Sequence, residues 1–166
     1  MEQNDNKKEE ILIGKKPVSK GQKILIAALV CVVVSMNVAG WLVFFGLFRD
    51  PVVSIRDDSM RISGIYGLRV DYSEIDSITL IDNCVCHIYC GDSSMMTRGF
   101  DGFGRVRKGR FWSENLGSHI LFVQIHSSPT IHIERHGSRD IYISFLSSER
   151  TEQLYQELTQ AMARNV

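Results

Sequence analysis

Proline and tryptophan are scarce, at three and two of 166 residues, and net charge is absent, with 19 Lys plus Arg against 19 Asp plus Glu. Without a basic excess, a domain built over its whole surface to grip nucleic acid is not expected. None of the four cysteines forms a C-x-x-C pair, and no Walker sequence occurs. Gly102-Phe103-Gly104 lacks the strand-to-helix setting of a dinucleotide loop. No serine stands in a nucleophile-elbow context and no carboxylate pair stands out as an acid and a base. The expectation is therefore a non-enzyme without a cofactor. At 44% apolar residues the chain is equally unlike a wholly disordered one.

What is present is unevenly distributed. Residues 24–48 run for 25 positions without a carboxylate, amine or guanidinium. A helix of that length reaches roughly 37 Å and so covers a hydrocarbon core of about 30 Å. A cleaved signal would have a shorter apolar stretch and a small-residue cleavage site, and a buried core helix would be shorter and amphipathic. A single transmembrane helix is predicted, with Trp41, Phe44, Phe45 and Phe48 as aromatic weight near one interface. Ser35 and Asn37, the strongly polar side chains within it, can bond to backbone carbonyls or to a second helix.

The zero charge is a sum of opposites. Residues 1–23, read as a flexible cytoplasmic tail, hold six Lys and four acids, whereas residues 49–166 hold 13 basic and 15 acidic groups. Lys15, Lys16, Lys20 and Lys23 crowd the N-terminal flank, so the positive-inside rule predicts a cytoplasmic N-terminus and an extracytoplasmic C-terminal domain. Three cysteines in that domain, Cys84, Cys86 and Cys90, pull the other way, because an oxidising compartment would leave one unpaired.

Residues 49–166 suffice for one compact domain. Short β-branched segments at 52–55, 60–63, 68–72, 75–82, 119–126, 130–136 and 140–146 predict about seven strands. Ser-Ser-Pro and Gly-Ser connectors suit tight hairpins between the last three. Ile131, Ile133 and Arg135 alternate with His132, Glu134 and His136, and Ile141, Ile143 and Phe145 with Tyr142 and Ser144, which predicts one buried and one wet face. From Ser147 the period changes: Leu154, Leu158 and Met162, widened by Tyr155 and Ala161, mark an amphipathic helix capped by Ser147 or Ser148. The fold class is α+β, an antiparallel meander closed by a terminal helix.

This order resembles the pleckstrin-homology (PH) group, and more closely the bacterial PH-domain family of small membrane proteins. The likeness is carried by Ile62-Ser63-Gly64-Ile65-Tyr66-Gly67, Ile75-x-x-Ile78, the segment GFGRVRKGRFWSENLG, Ile131-x-Ile133 and Thr151-Glu152-Gln153-Leu154-Tyr155. It covers about residues 52–162 and implies two orthogonal sheets capped by the C-terminal helix. It also implies a bacterial cytoplasmic-membrane location and a lipid- or protein-contacting module without shared chemistry. Phosphoinositide-binding PH domains carry a basic cluster on their first two strands. Here Asp57 and Asp58 stand in that loop and would repel a phosphorylated inositol.

Three features compete for function. Arg98, Arg105, Arg107, Lys108 and Arg110 lie within 13 residues containing one acid. They read either as a solvated hairpin with Val106 and Phe111 turned inward, or as a site for a lipid headgroup or acidic peptide. Cys84, Cys86, His87 and Cys90 offer a tetrahedral zinc shell or a redox pair, although His87 would point away from the thiols on a strand. His126, His132 and His136 could cluster across a hairpin, with His119 also on a strand. The leading expectation is a non-catalytic, membrane-anchored binding or assembly module contacting the lipid bilayer, a protein partner or a second copy. The alternatives are a metal or redox sensor, and a structural subunit packed through Ser35, Asn37 and Gly40.

Overall fold

The structure, a computed structural model, describes residues 19–83 and 95–164. Compactness divides the chain inside its apolar helix, between Leu42 and Val43.

Helix α1 spans Lys20–Phe48, beginning four residues before the apolar run. Ser19 and Gln22 cap it reciprocally: the Gln22 N–H donates to Ser19 Oγ at 3.3 Å and the Ser19 N–H to Gln22 Oε1 at 3.0 Å. Ser35 Oγ and Asn37 Nδ2 each donate to the carbonyl one turn back, Cys31 at 2.8 Å and Val33 at 2.7 Å. No residue of α1 is buried, which is inconsistent with a soluble core helix, and the helix is long and apolar enough to cross a membrane.

The second unit is α+β. Strands β1 (Val52–Ile55), β2 (Ser59–Ser63) and β3 (Leu68–Asp71) form an antiparallel sheet in sequence order. A 3-10 turn at Tyr72–Glu74 leads to a second sheet of β4 (Ile75–Ile81), β5 (Met95–Gly102), β6 (Val106–Ser113), β7 (Gly117–Gln124), β8 (Thr130–Arg135) and β9 (Ile141–Ile143). Helix α2, Ser148–Ala163, closes the chain with Ser147 as N-cap, its hydroxyl accepting from the Arg150 N–H at 3.2 Å. Nine strands are thus described. The excess over the seven predicted is β5 and β6, which the sequence presented as a charged, glycine-rich hairpin.

The second sheet is ordered β4-β8-β9-β7-β6-β5, which corrects the antiparallel meander expected. Strand β9 inserts between β7 and β8 and runs parallel to β7, so Ser127-Ser128-Pro129 joins strands that are not neighbours, while the Gly137 turn does make the β8–β9 hairpin. The inserted position has a consequence for burial. Ile141 and Ile143 enter the main core with Ile120, Phe122, Ile131 and Ile133, which packs against Met60, Ile62 and Val70 of the first sheet and Leu154, Leu158 and Ala161 of α2. Tyr142 on the opposite face joins Phe111, Leu121, Val123 and Ile125 in a second cluster. On β9 the face expected to be wet is therefore buried, at Tyr142 and Ser144, whereas on β8 Glu134 and His136 are exposed as expected. Each such aliphatic side chain contributes about 1.5–3 kcal/mol on burial, so both clusters stabilise the sheet.

Candidate anion-binding groove

The β5–β6 hairpin depends on a glycine pair. Gly99 and Gly109 oppose each other, and a Cβ on Gly109 would lie 2.4 Å from the Arg98 carbonyl oxygen and 2.5 Å from the Gly99 Cα. Gly109 also has φ +118°, open to glycine and costly for other residues. The strands can approach because neither position carries a side chain.

Strand alternation then sorts the five candidate cations. Opposed residues of an antiparallel pair share a face. Asp101 opposes Arg107, and the Arg107 Nε donates to Asp101 Oδ2 at 3.0 Å while the guanidinium lies over the Phe111 ring. Lys108 opposes Phe122, is 8% exposed, and donates its ammonium to the Arg49 carbonyl. Burial lowers its pKa from the ordinary lysine value, against the opposing charge of Asp50. Arg105 lies exposed in the β5–β6 turn. Arg107 and Lys108 therefore both have partners within the domain.

Arg98 and Arg110 stand directly opposite one another on the face of Ile120. Like charges so placed repel. Among the described residues neither makes an ion pair. They line a groove of about 810 Å³ together with Arg135 and Arg139 from the β8–β9 hairpin and Tyr66 from the β2–β3 turn, and among the described residues no carboxylate lines it. Tyr66 donates its hydroxyl to the Gly99 carbonyl at 3.0 Å, fixing that turn to β5. Arg139 Nε donates to Ser118 Oγ at 2.6 Å, and Arg135 donates to the Arg139 carbonyl at 2.8 Å and to Glu74 Oε2 at 3.4 Å. Burial lowers the Arg135 pKa, opposed by the nearby Glu74.

Arg135 and Arg139 were not predicted. Arg135 was marked by its place in the apolar register of β8, but Arg139 reaches the groove because β9 docks on β7, a pairing without a local sequence signal.

A smaller groove of about 320 Å³ on the first sheet holds Arg56, Arg61 and Arg69. Part of its charge is met internally: Arg69 pairs with Asp58 at 3.1 Å and Asp71 at 2.9 Å. The Ser59 hydroxyl, with Arg69 beside it, holds the Asp58 carboxyl below its ordinary range. The histidines do not form one cluster but keep to separate packing and hydrogen-bond partners. His132 stacks on Tyr142 at 4.6 Å and meets Asp140 Oδ2 at 3.0 Å, whereas His136 faces Asp76 at 3.9 Å. His119 is buried beside Tyr142 with Nδ1 2.9 Å from the Gly117 carbonyl, and His126 is exposed beyond β7. Among the described residues no group of His, Cys, Asp and Glu could hold a metal; Cys84, Cys86, His87 and Cys90 lie outside them.

No family model, curated protein or solved structure matches the chain.

Proposed function

We propose that this chain is a membrane-anchored, non-catalytic binding module whose groove between β5, β6 and the β8–β9 hairpin holds an anionic group. The observation that carries the proposal is the convergence of Arg98, Arg110, Arg135 and Arg139 on one groove with no carboxylate among its described lining residues. Guanidinium groups match phosphate and carboxylate oxygens in pairs, and the groove is within the size range of small-ligand sites. An anion there also relieves the Arg98–Arg110 repulsion. The PH-like reading of the domain rests on its strand-rich body and closing helix, and it has to accommodate the parallel β7–β9 pair. In the topology proposed with it, the N-terminus is cytoplasmic and the domain lies across the bacterial cytoplasmic membrane.

A phosphate or carboxylate can reach such a groove on a lipid headgroup, on a soluble ligand, or on an acidic partner protein. Calorimetric titration of the full chain in neutral-lipid discs with pyrophosphate, and in parallel with a short-chain anionic phospholipid, separates the first two sources. Replacing Arg98, Arg110 and Arg139 together by Gln is expected to weaken binding about tenfold or more, equivalent to about 1.4 kcal/mol or more. Equal binding by wild type and variant in both arms would remove the groove from the proposal. The helix-packing alternative through Ser35, Asn37 and Gly40 has less support, since Ser35 and Asn37 bond within their own helix. A metal or redox role for Cys84, Cys86, His87 and Cys90 is tested by elemental analysis of the full chain.

A further inference from the structure

Singly exposed apolar side chains are ordinary on a protein surface, but a group of them around one structural landmark is not. In the second unit the landmark is the end of the apolar run. That unit begins at Val43, so it contains the last six residues of α1 and the first charged residues after them. Four large apolar side chains lie on segments near this point: Phe103 is 84% exposed, Leu146 77%, Ile65 67% and Val52 63%.

The segments that carry them lie close to the helix end. The β5–β6 turn that carries Phe103 is held by the Phe48 and Phe100 rings, edge to face at 5.2 Å, and a Cβ on Gly102 would lie 2.9 Å from the Phe48 ring. Leu146 is positioned by its own N–H, which donates to the Asp50 carboxylate at 3.2 Å. Val52 and Ile65 line a cavity of about 400 Å³, mostly apolar, together with Gly46 and Leu47. The same segment is further fixed by Gln124 Nε2, which donates to the Phe48 carbonyl at 3.3 Å and to Asp50 Oδ1 at 2.9 Å.

Phe103 is unusual in a second respect. Its φ of 52° is the left-handed conformation, rare for a bulky side chain, and it is set between Gly102 and Gly104 in a turn closed by the Arg105 N–H on the Gly102 carbonyl at 3.0 Å. The fold thus holds an aromatic ring outward at a turn tip. Arg105 beside it and Arg49 after the helix are exposed cations, the usual companions of apolar tips at a lipid surface.

We infer that Phe103, Leu146, Ile65 and Val52 form a membrane-docking rim, and that the occupant of this face is the bilayer crossed by α1. The inference rests on the reading of α1 as a membrane span. Continuity favours the bilayer over a second protein, because the rim lies beside the segment in which the apolar helix ends. Trp112 supplies an internal reference, since it lies six residues along β6 from Val106, roughly 20 Å from the rim end of that strand.

The test uses the full chain in liposomes with one tryptophan at a time. Native Trp41, native Trp112, Phe103→Trp or Leu146→Trp is kept while the other tryptophans are replaced by Phe. With lipids brominated high on the acyl chain, emission from the Phe103→Trp and Leu146→Trp chains is expected to fall by about half or more, as for side chains seated at the headgroup–acyl boundary. Trp112 should stay unquenched by bromine and open to iodide. If Trp41 is quenched by brominated lipid while both rim positions remain lipid-insensitive and iodide-accessible, docking is overturned and the anchor stands. Rim positions shielded from both quenchers would mean that a protein surface covers them, which also overturns the inference. An unquenched Trp41 removes the anchor reading and the rim with it.

Discussion

Replacing Gly109 by Ala probes the hairpin that sets two of the four groove arginines. The new methyl group would meet the Arg98 carbonyl oxygen at 2.4 Å and the Gly99 Cα at 2.5 Å, both main-chain atoms that cannot rotate away. A non-glycine residue at φ +118° adds a backbone cost of about 1–3 kcal/mol. Parting the strands enough to relieve the clash weakens one or two cross-strand hydrogen bonds, each contributing about 1 kcal/mol. Together these give a loss of about 2–5 kcal/mol, a large share of the 5–15 kcal/mol typical of a domain. Gly104→Ala separates the two contributions: its φ is +70° but a Cβ there meets nothing within 4 Å, so about 1–2 kcal/mol is expected. Urea unfolding of the full chain in detergent micelles, followed through Trp112 with Trp41→Phe as background, measures both. If Gly109→Ala unfolds within about 1 kcal/mol of Gly104→Ala, the close approach is not a constraint and the reasoning fails.

Alkaline pH tests the second cluster. Burial, with Asp140 and Glu134 nearby, pushes the Tyr142 phenol up to about 12 from 10.0. A raised folded-state pKa contributes stability that is intact below the unfolded value and lost as pH climbs from 10 to 12, here about 2–3 kcal/mol. Denaturation midpoints of wild type and Tyr142→Phe should therefore diverge in that window, with the variant missing this share of the loss; parallel curves would contradict it. At α2, Ser147→Ala removes the acceptor for the Arg150 N–H and should lower stability by about 1 kcal/mol, while Ser147→Asp retains most of it. Equal unfolding midpoints for Ser147→Ala and wild type would deny the cap a role.

Local pattern exposed much of the fold before any coordinates. The uncharged run, the alternation of Ile131 and Ile133, the four-residue spacing of Leu154, Leu158 and Met162, and the Ser147 cap all concern residues near one another in sequence. What escaped was long-range. A three-residue strand such as β9, buried on both faces, shows no alternation that reports its neighbours, so Ser-Ser-Pro read as a hairpin turn and the β7–β9 pair went unseen. The same pairing carries Arg139 to Ser118. Proximity in sequence grouped Arg107 and Lys108 with Arg98 and Arg110, whereas strand register sets Arg107 against Asp101 and turns Lys108 inward to the Arg49 carbonyl. A register shift between Met96 and Arg98 fixes the Arg98–Arg110 pairing, and nothing in the residue spacing signals it.

Direct titration of the groove is the most telling measurement. In neutral-lipid discs the full chain should bind pyrophosphate or a short-chain anionic phospholipid, with affinity that falls as salt rises. The chain carrying Arg98→Gln, Arg110→Gln and Arg139→Gln should bind about tenfold or more weakly with its unfolding midpoint unchanged. Binding that survives all three substitutions, or no binding by the wild-type chain to either anion, would contradict the groove as the module's working site.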